Sequence, residues 1–458
     1  ISYLIRKTPL MILMKNLEAC SNCLYSNLHA YPLLLSDGLC SGCLVHKEKN
    51  PGTWVDRNKI LKNQIIEHNS QFNANNSFDC IIPVTGAGDS FFTVHYVKNV
   101  LKLNPLLVNY NHHHNTSIGI RNLSKLSSFM DCDMIQDTLS PDKIKSITET
   151  TINEFGSIYW QALAGSTVLP LKVALRYKIP TIIWGLHGWS DQVGMYSHSN
   201  NIEMTERTRR EYLLSGFDAD KLKILTNNQR VSSSLDWFKY PDKYKLRKAG
   251  VRGFYLSNYV RWDAKSQHEL MIDTYDYETR ASERSFNSYE EAHCHHSLGF
   301  HDYLKHLKFG YSRVVDHASR DIRLGHISRN EGLTLVEKYI DRVPNDISAF
   351  EEWIGIDSKK IIERNISLRT DFSMQFFDKK NPLKFDKQKY LSSLGGSVST
   401  APKNLYTTTQ LPFKDHDIDK RLIMGRVYTD GRSYGAVTEA KGNCNILINK
   451  YKNMSAMK

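Results

Sequence analysis

The most constraining feature of the chain is an alternation of short apolar runs and helical periods between residues 79 and 184. Asp79-Cys80-Ile81-Ile82-Pro83-Val84 is an almost unbroken apolar run that breaks into a glycine-rich turn, the pattern of a buried parallel strand. From Ser90 the apolar positions Val94, Val97 and Leu101 recur at helical spacing, and Pro105-Leu106-Leu107-Val108 reads as a second strand. A helix is expected over 116–130 and a third strand at Met134-Ile135. Ser140-Pro141 then opens a helix, with serine as the cap and proline in its first position, and Gly156 closes it. A further helix carries Val173, Ala174 and Leu175 to Pro180, and Thr181-Ile182-Ile183-Trp184 gives a fourth strand ending at Gly185. Strands alternating with helices predict an α/β fold, an open parallel sheet with helices on both faces. In such sheets ligands bind beyond the carboxyl ends of the strands, here the turns after Val84, Val108 and Trp184.

A chain of 458 residues is too long for one minimal core. The reading divides it into an N-terminal four-cysteine module (1–50), a nucleotide-binding domain (51–240), a mainly helical substrate or partner region (241–380) and an irregular extension (381–458). Within the helical region, Gly253-Phe254-Tyr255-Leu256 reads as an aromatic-rich connection. Hydrophobic residues are 41% of the chain, and no segment approaches the roughly 18 consecutive apolar residues of a membrane span. No signal peptide is expected in residues 1–14, which lack a continuous apolar core. The net charge of +12 suits nucleotides, sugar nucleotides or RNA without choosing among them. Eight cysteines are too few for a disulfide scaffold and point to a reducing, cytoplasmic setting.

Chemistry concentrates in a few places. In Thr85-Gly86-Ala87-Gly88-Asp89-Ser90, between the first strand and its helix, small residues let backbone N–H groups approach phosphate oxygens. The helix N-terminus adds partial positive charge. Ser90 offers a hydroxyl donor, and Asp89 can orient the loop or a magnesium ion. Cys20-x-x-Cys23 and Cys40-x-x-Cys43, sixteen residues apart, have the spacing of a closed four-thiolate structural zinc site.

His112-His113-His114 and His293-Cys294-His295-His296 read as polar loop residues, since neighbours on a strand point to opposite faces. His112, after the second strand, is placed to line a nucleotide pocket. His187, just past the fourth strand, is a stronger site candidate. From Asp316 to His326 the chain packs acids, bases and a hydroxyl together, and Ser328 and Glu331 have capping-box spacing. Asp316, His317, Asp321 and Arg323 are therefore expected to contact a substrate.

The glycine-rich loop resembles the Ser-Gly-Gly-x-Asp-Ser signature of pyrophosphate-loop ATPases (adenine nucleotide alpha hydrolase-like), with Thr85 and Ala87 as departures. Five features together resemble the N-acetyl sugar amidotransferase family over residues 18–345. They are the cysteine pairs, this loop, 191–198 with Glu203-Met204-Thr205, Leu307-Lys308-Phe309-Gly310-Tyr311, and Asp316 through Gly332.

The resemblance implies formation of an acetamidino group on a bacterial surface sugar, as in lipopolysaccharide O-antigen or flagellin glycans. ATP with Mg2+ would adenylate the N-acetyl oxygen of a sugar, expected to be nucleotide-linked, and ammonia would displace AMP. It also implies glutaminase and cyclase-like partners that supply the ammonia; no glutaminase nucleophile motif is visible in this chain. Asp89, Ser90, His187, Asp321 and Arg323 would carry the chemistry. Thr85, Gly86, Ala87, Gly88, Asn109 and Gly185 would join Asp89 and Ser90 in holding the nucleotide, and Cys20, Cys23, Cys40 and Cys43 would hold Zn2+. Many members carry lysine where Gly88 stands, so another cation (Arg261, Arg323 or Arg329) would have to replace it. Two rivals stand beside this reading. One is a tRNA-modifying pyrophosphate-loop ATPase of the thiolation or lysidine type, the only reading with a nucleic-acid partner. The other is a nucleotide-binding scaffold without catalysis.

Overall fold

The computed structural model describes residues 17–395 other than 18, 27, 29–34, 37, 50–51, 53, 73–76, 187, 195–202, 207, 227, 291–293 and 370. A small antiparallel hairpin, β1 (Leu35–Ser36) and β2 (Leu39–Cys40), leads into α1 (Ser41–Glu48) and the long α2 (Trp54–Phe72). Then come β3 (Cys80–Pro83), α3 (Gly88–His95), β4 (Pro105–Tyr110), α4 (Ser117–Phe129), β5 (Met134–Asp137), α5 (Pro141–Phe155), α6 (Trp160–Tyr177), β6 (Thr181–Trp184) and α7 (Gly188–Val193). Three short helices, α8 (Ala219–Leu225), α9 (Gln229–Leu235) and α10 (Lys243–Lys248), precede β7 (Arg252–Tyr255). The rest is helical: α11 (Ala264–Tyr275), α12 (Leu298–Phe309), α13 (Arg313–Leu324), α14 (Arg329–Tyr339), α15 (Ile347–Ile354), α16 (Ser358–Ser367) and α17 (Lys387–Leu394).

Strands β3 to β7 form one parallel sheet in the order β5-β4-β3-β6-β7. Alternation along each strand sends side chains to opposite faces. Ile81, Leu106, Val108 and Ile182 pack with Ile144 and Ile147 of α5 and Trp160, Ala164 and Ala174 of α6. Cys80, Ile82, Leu107, Ile183 and Phe254 pack with Leu61 and Ile65 of α2, Phe91 and Val94 of α3, and Met271 of α11. Both faces are covered over the three central strands, which is why β3, β4 and β6 read as continuous apolar runs. Strand order reverses between β3 and β6, and that reversal opens a crevice at their carboxyl ends.

Several local expectations are corrected. Arg252–Tyr255 is not a connection but the fifth strand, with Ile182 opposite Gly253 and Ile183 opposite Phe254. A side chain at 253 would lie 2.9 Å from Trp184 Nε1 and 3.0 Å from the Met204 Cβ, so glycine is the residue this crowded position takes. The sheet therefore closes beyond the expected boundary at residue 240. The helix before β6 starts at Trp160 and accommodates Pro170. Ser140 stands at the α5 cap without a side-chain hydrogen bond. Residues 387–394 of the supposed extension are helical and bury Tyr390 and Leu394; 396–458 lie outside the described residues.

The C-terminal helices share a core with the cysteines. Cys20, Cys23, Leu24, Tyr25, Cys40 and Cys43 pack with Phe300 and Leu304 of α12, Val315 and Ala318 of α13, and Val336 of α14. The N-terminal cysteine segment is thus built into the helical part rather than standing apart. Ser328 and Glu331 form the expected capping box on α14. Among the described residues no helix is long and apolar enough to cross a membrane.

A buried ion network locks α12 to α13. Asp302 accepts from Arg284 Nε at 2.7 Å and from the Arg313 backbone N–H at 2.7 Å, and Lys305 bridges Asp302 and Asp316 at 3.3 and 2.9 Å. Burial would raise Asp302, but Arg284, Lys305 and Arg313 outweigh it and hold the carboxyl far below the usual range. Asp302→Ala leaves Arg284 buried without its carboxylate. It is expected to cost about 3–5 kcal/mol, measured by chemical denaturation.

Candidate functional site

The four cysteines come together as their spacing predicts. A tight turn, closed by the Cys20 N–H donating to the Tyr25 carbonyl at 2.8 Å, carries the first pair. Cys40 ends β2, and Cys43 sits in the first turn of α1. All four Sγ atoms lie within 4.8 Å of one another and are buried. This donor set fits a structural zinc ion with no position left for water. N–H groups aim at the sulfurs: Cys40 N–H at Cys20 Sγ (3.2 Å) and Tyr25 N–H at Cys23 Sγ (3.5 Å). Arg323 supplies a cation, its Nε 3.4 Å from Cys43 Sγ and its Nη2 3.4 Å from Cys40 Sγ. The same guanidinium stacks over the Tyr25 ring and donates through Nη1 to the carbonyls of Asp191 and Gln192.

The glycine-rich loop leaves β3 beside the crevice and is folded by its own hydroxyls. The Thr85 N–H donates to Ser90 Oγ at 2.8 Å, and the Ala87 N–H donates to Thr85 Oγ1 at 3.2 Å. Asn109 of β4 donates to the Val84 carbonyl at 2.8 Å, and Asn122 of α4 to the Gly86 carbonyl at 3.2 Å. Neighbours approach closely: a Cβ on Gly86 would lie 2.3 Å from the Gly119 oxygen. One on Gly88 would lie 1.8 Å from His268 Nε2, and one on Gly185 2.9 Å from Thr93 Oγ1. His268, which sequence reasoning missed, thus occupies the space of a side chain at position 88 and stands 4.0 Å from Asp89 Oδ1.

A cavity of about 490 Å3 lies between the cysteine segment, the carboxyl ends of the sheet and the C-terminal helices. His46, Lys49, Asp191, Arg261, Trp262, Glu290, Arg320 and Arg323 are among its lining residues. Lys49 holds Asp191 at 2.8 Å, and Arg320 binds Glu290 at 2.6 Å and reaches Asp191 at 3.6 Å. Burial would raise Asp191, but Lys49 and Arg320 outweigh it and hold it at about 2. Glu290 is pushed up to about 8 by burial and by Asp321, Asp191 and Asp89, against the pull of Arg320.

Asp89, in the first turn of α3, is half exposed. Desolvation raises it to about 6 against Arg320, with Asp191 adding to the rise. Asp89 of the loop is therefore within electrostatic reach of the residues that line the cavity. Asp321, raised by burial, pairs with His326 at 3.6 Å, and His326 reaches Asp263 at 3.2 Å. Asp89 and, more than two hundred residues later in sequence, Asp321 and Arg323 converge on one region. Of the other candidate cations, Arg261 lines the cavity, whereas Arg329 donates to the Leu394 carbonyl at 2.5 Å. His187 and His293 lie outside the described residues.

Three further histidines form a cluster that adjacent-residue reasoning did not anticipate. His112 and His114 follow β4 on either side of His113, whose backbone is left-handed (φ 63°), and both are turned inward. The bridge between Asn115 and His295 lays a third imidazole between them. Ring centroids are 4.4 Å apart for His112 and His295 and 5.1 Å for His114 and His295. All three are buried. Cys294, on the same bridge, is a buried thiol in contact with Thr85 and Gly86, and burial pushes it up.

Residues 283–392 match the family described as LPS biosynthesis protein WbpG-like, C-terminal domain. The likeness is to a polysaccharide-biosynthesis family. No match was found among curated proteins. The matched stretch contributes Glu290, Arg320 and Arg323, one wall of the cavity, while Lys49, Asp191 and Arg261 come from outside it.

Proposed function

We propose that the chain is an ATP-dependent N-acetyl sugar amidotransferase of the pyrophosphate-loop type, acting in lipopolysaccharide or related surface-glycan biosynthesis. One observation carries the reading. The Asp89 loop, at the reversal of strand order, is electrostatically joined to a charged cavity whose other wall belongs to the segment with a polysaccharide-biosynthesis likeness. An amide oxygen is a poor leaving group and an adenylate is a good one, so ATP turnover makes the exchange of oxygen for nitrogen feasible. The loop backbone and the first turn of α3 would receive the phosphates. Asp89 would hold the accompanying Mg2+, which neutralises phosphate charge, and Arg320 and Arg261 would face the anionic substrate. Ser90 acts indirectly, by closing the loop. The zinc site is structural, and Arg323 ties it to the cavity wall. Ammonia would come from separate glutaminase and cyclase-like partners.

Purified protein is expected to release AMP and pyrophosphate from ATP only with both an N-acetyl sugar nucleotide and ammonium. Asp89→Asn is expected to lower that rate by about 100-fold while leaving the melting temperature nearly unchanged. Release of AMP without any need for sugar or ammonia would discard the reading. The contact of Cys294 with Thr85 and Gly86 favours tRNA thiolation as the second reading, since it puts a thiol at the loop. Burial disfavours its thiolate, however. Sulfur transfer abolished by Cys294→Ser would decide for it.

A further inference from the structure

Glu290 lies in none of the motifs that carry the family resemblance, yet it is the cavity carboxyl with the most distinctive support. Its Oε2 accepts from Arg320 Nη1 at 2.6 Å and lies 3.6 Å from His317 Nε2. The second distance is longer than a hydrogen bond. The other ring nitrogen of His317, Nδ1, is 2.6 Å from the hydroxyl of Ser285. Both contacts of the carboxylate fall on one oxygen, so Oε1 is not held by them. The result is a hydroxyl–imidazole–carboxyl line running from the buried Ser285 to the cavity wall.

A salt bridge needs only Arg320 and Glu290. An imidazole fixed from behind by a hydroxyl, with its second nitrogen toward the same carboxyl, is the arrangement that orients a general base. We propose that Glu290 is the general base of the amidine-forming step, with His317 and Ser285 as positioning residues. The proposal rests on the amidotransferase reading above.

In that step ammonia attacks the carbon of the adenylated N-acetyl group, and the new C–N bond leaves a positively charged nitrogen on a tetrahedral carbon. Glu290 takes one proton from that nitrogen. The freed lone pair then drives cleavage of the C–O bond, so that AMP departs with the former amide oxygen and the product is an amidinium ion. The proton passes from Glu290 to the pyrophosphate released by adenylation, and no oxidant or reductant is involved. The charges that face Glu290 are Arg320 and Asp321 from α13, Asp191 from α7 and Asp89 from α3, and the titratable imidazole of His317 stands beside them. Burial and the three acids make the carboxylate a stronger base than an exposed glutamate, and Arg320 opposes them.

The test separates the two half-reactions, using purified protein, ATP and an N-acetyl sugar nucleotide. Sugar-dependent exchange of labelled pyrophosphate into ATP reports adenylation, and amidine formation with ammonium reports the whole reaction. E290Q keeps an oxygen for Arg320. It is expected to retain exchange within about 3-fold of wild type and to lose amidine formation by about 100- to 1,000-fold. H317N is expected to lower amidine formation less and to move the rising limb of its pH profile.

The wild-type protein gives a reading that needs no folded variant. With hydroxylamine in place of ammonium, amidine-type product formation should rise to a plateau through about pH 8, while exchange shows no such limb. Full amidine formation by E290Q, equal loss of both half-reactions, or absence of the pH limb overturns the assignment of Glu290. Wild-type protein without sugar-dependent exchange removes the amidotransferase reading itself, a result the other three cannot mimic.

Discussion

Cys43→Ser is expected to release the bound metal and unfold the helical half of the molecule as well as the hairpin. Elemental analysis of the wild-type protein should find about one zinc per chain, and of the variant close to none. The magnitude follows from the packing. Structural zinc contributes on the order of 10 kcal/mol or more to folding. Here the metal would also anchor Arg323, whose guanidinium touches three of the sulfurs. Around it, Tyr25 donates to Asp316 at 2.9 Å and Leu24 N–H to Ser319 at 3.3 Å. The variant should therefore melt at least about 10 °C below wild type, at roughly 2–4 °C per kcal/mol for a chain of this order of size. A strong chelator should lower the wild-type midpoint and leave the variant unmoved. Wild-type protein that carries no zinc and ignores the chelator would leave the four thiols as a packing feature only.

Acid should unfold the molecule steeply below about pH 6. Burial, first of all, holds His112 at about 3, His114 at about 4, and His301 and His306 at about 3, and it pushes His295 well below the ordinary histidine value. Neighbouring charges reinforce this. His113 and His296 face His114, while Arg313, Lys308 and Lys305 face His301 against the opposing Asp302.

The unfolded chain binds protons on these imidazoles below about 6.5, and the folded chain refuses them until its own lower values are reached. Stability is thus fully present above about 6.5 and is lost as pH falls toward 3 to 4. Each imidazole contributes about 1.4 kcal/mol per pH unit once the unfolded form is protonated, so five give a slope of about 7 kcal/mol per unit. Asp302, held low, adds to the loss at the acid end; Glu290 and Asp89, held high, oppose it. Denaturation followed at pH 7, 6 and 5 should show the collapse. In the double variant His112→Phe/His295→Leu the slope should flatten measurably. An unchanged midpoint from pH 7 to 5 would contradict the buried, neutral state of the cluster.

What the sequence disclosed followed from local rules. The strands from Cys80, Pro105 and Thr181 were legible because burial on both faces makes their runs nearly apolar, the edge strand from Met134 only through Met134-Ile135, and the cysteine pairs because metal spacing is local. Arg252–Tyr255 was missed because it is short and interrupted by Gly253, and its strand state depends on a partner seventy residues earlier. The histidine cluster was not legible because His112, His114 and His295 meet through a left-handed residue at 113 and a bridge to residue 295, neither of which is a local pattern.

Asp89, Asp321 and Arg323 were individually conspicuous, yet their convergence and the place of Glu290 require the tertiary fold. His268 left no signal except the glycine at 88. The packing of the cysteine segment into the C-terminal helices was not legible for a similar reason. A hydrophobic residue such as Leu24 or Tyr25 does not state in its own sequence which core it joins.

The joining of the cysteine segment to α13 also sets a timetable for synthesis. Arg323 lies 280 residues after Cys43, and Asp316 lies 291 after Tyr25. At roughly 5–20 residues per second, the ribosome needs roughly 15–60 s to supply the second partner after the first has emerged. During that interval the thiols on the nascent chain stand without their arginine cover and without the apolar wall that later buries them. Metal captured at this stage would shield them from oxidation and fix the hairpin before its docking surface exists. The yield of folded protein would then depend on the zinc available to the growing chain, so supplementation during translation should raise it more than the same metal added after release.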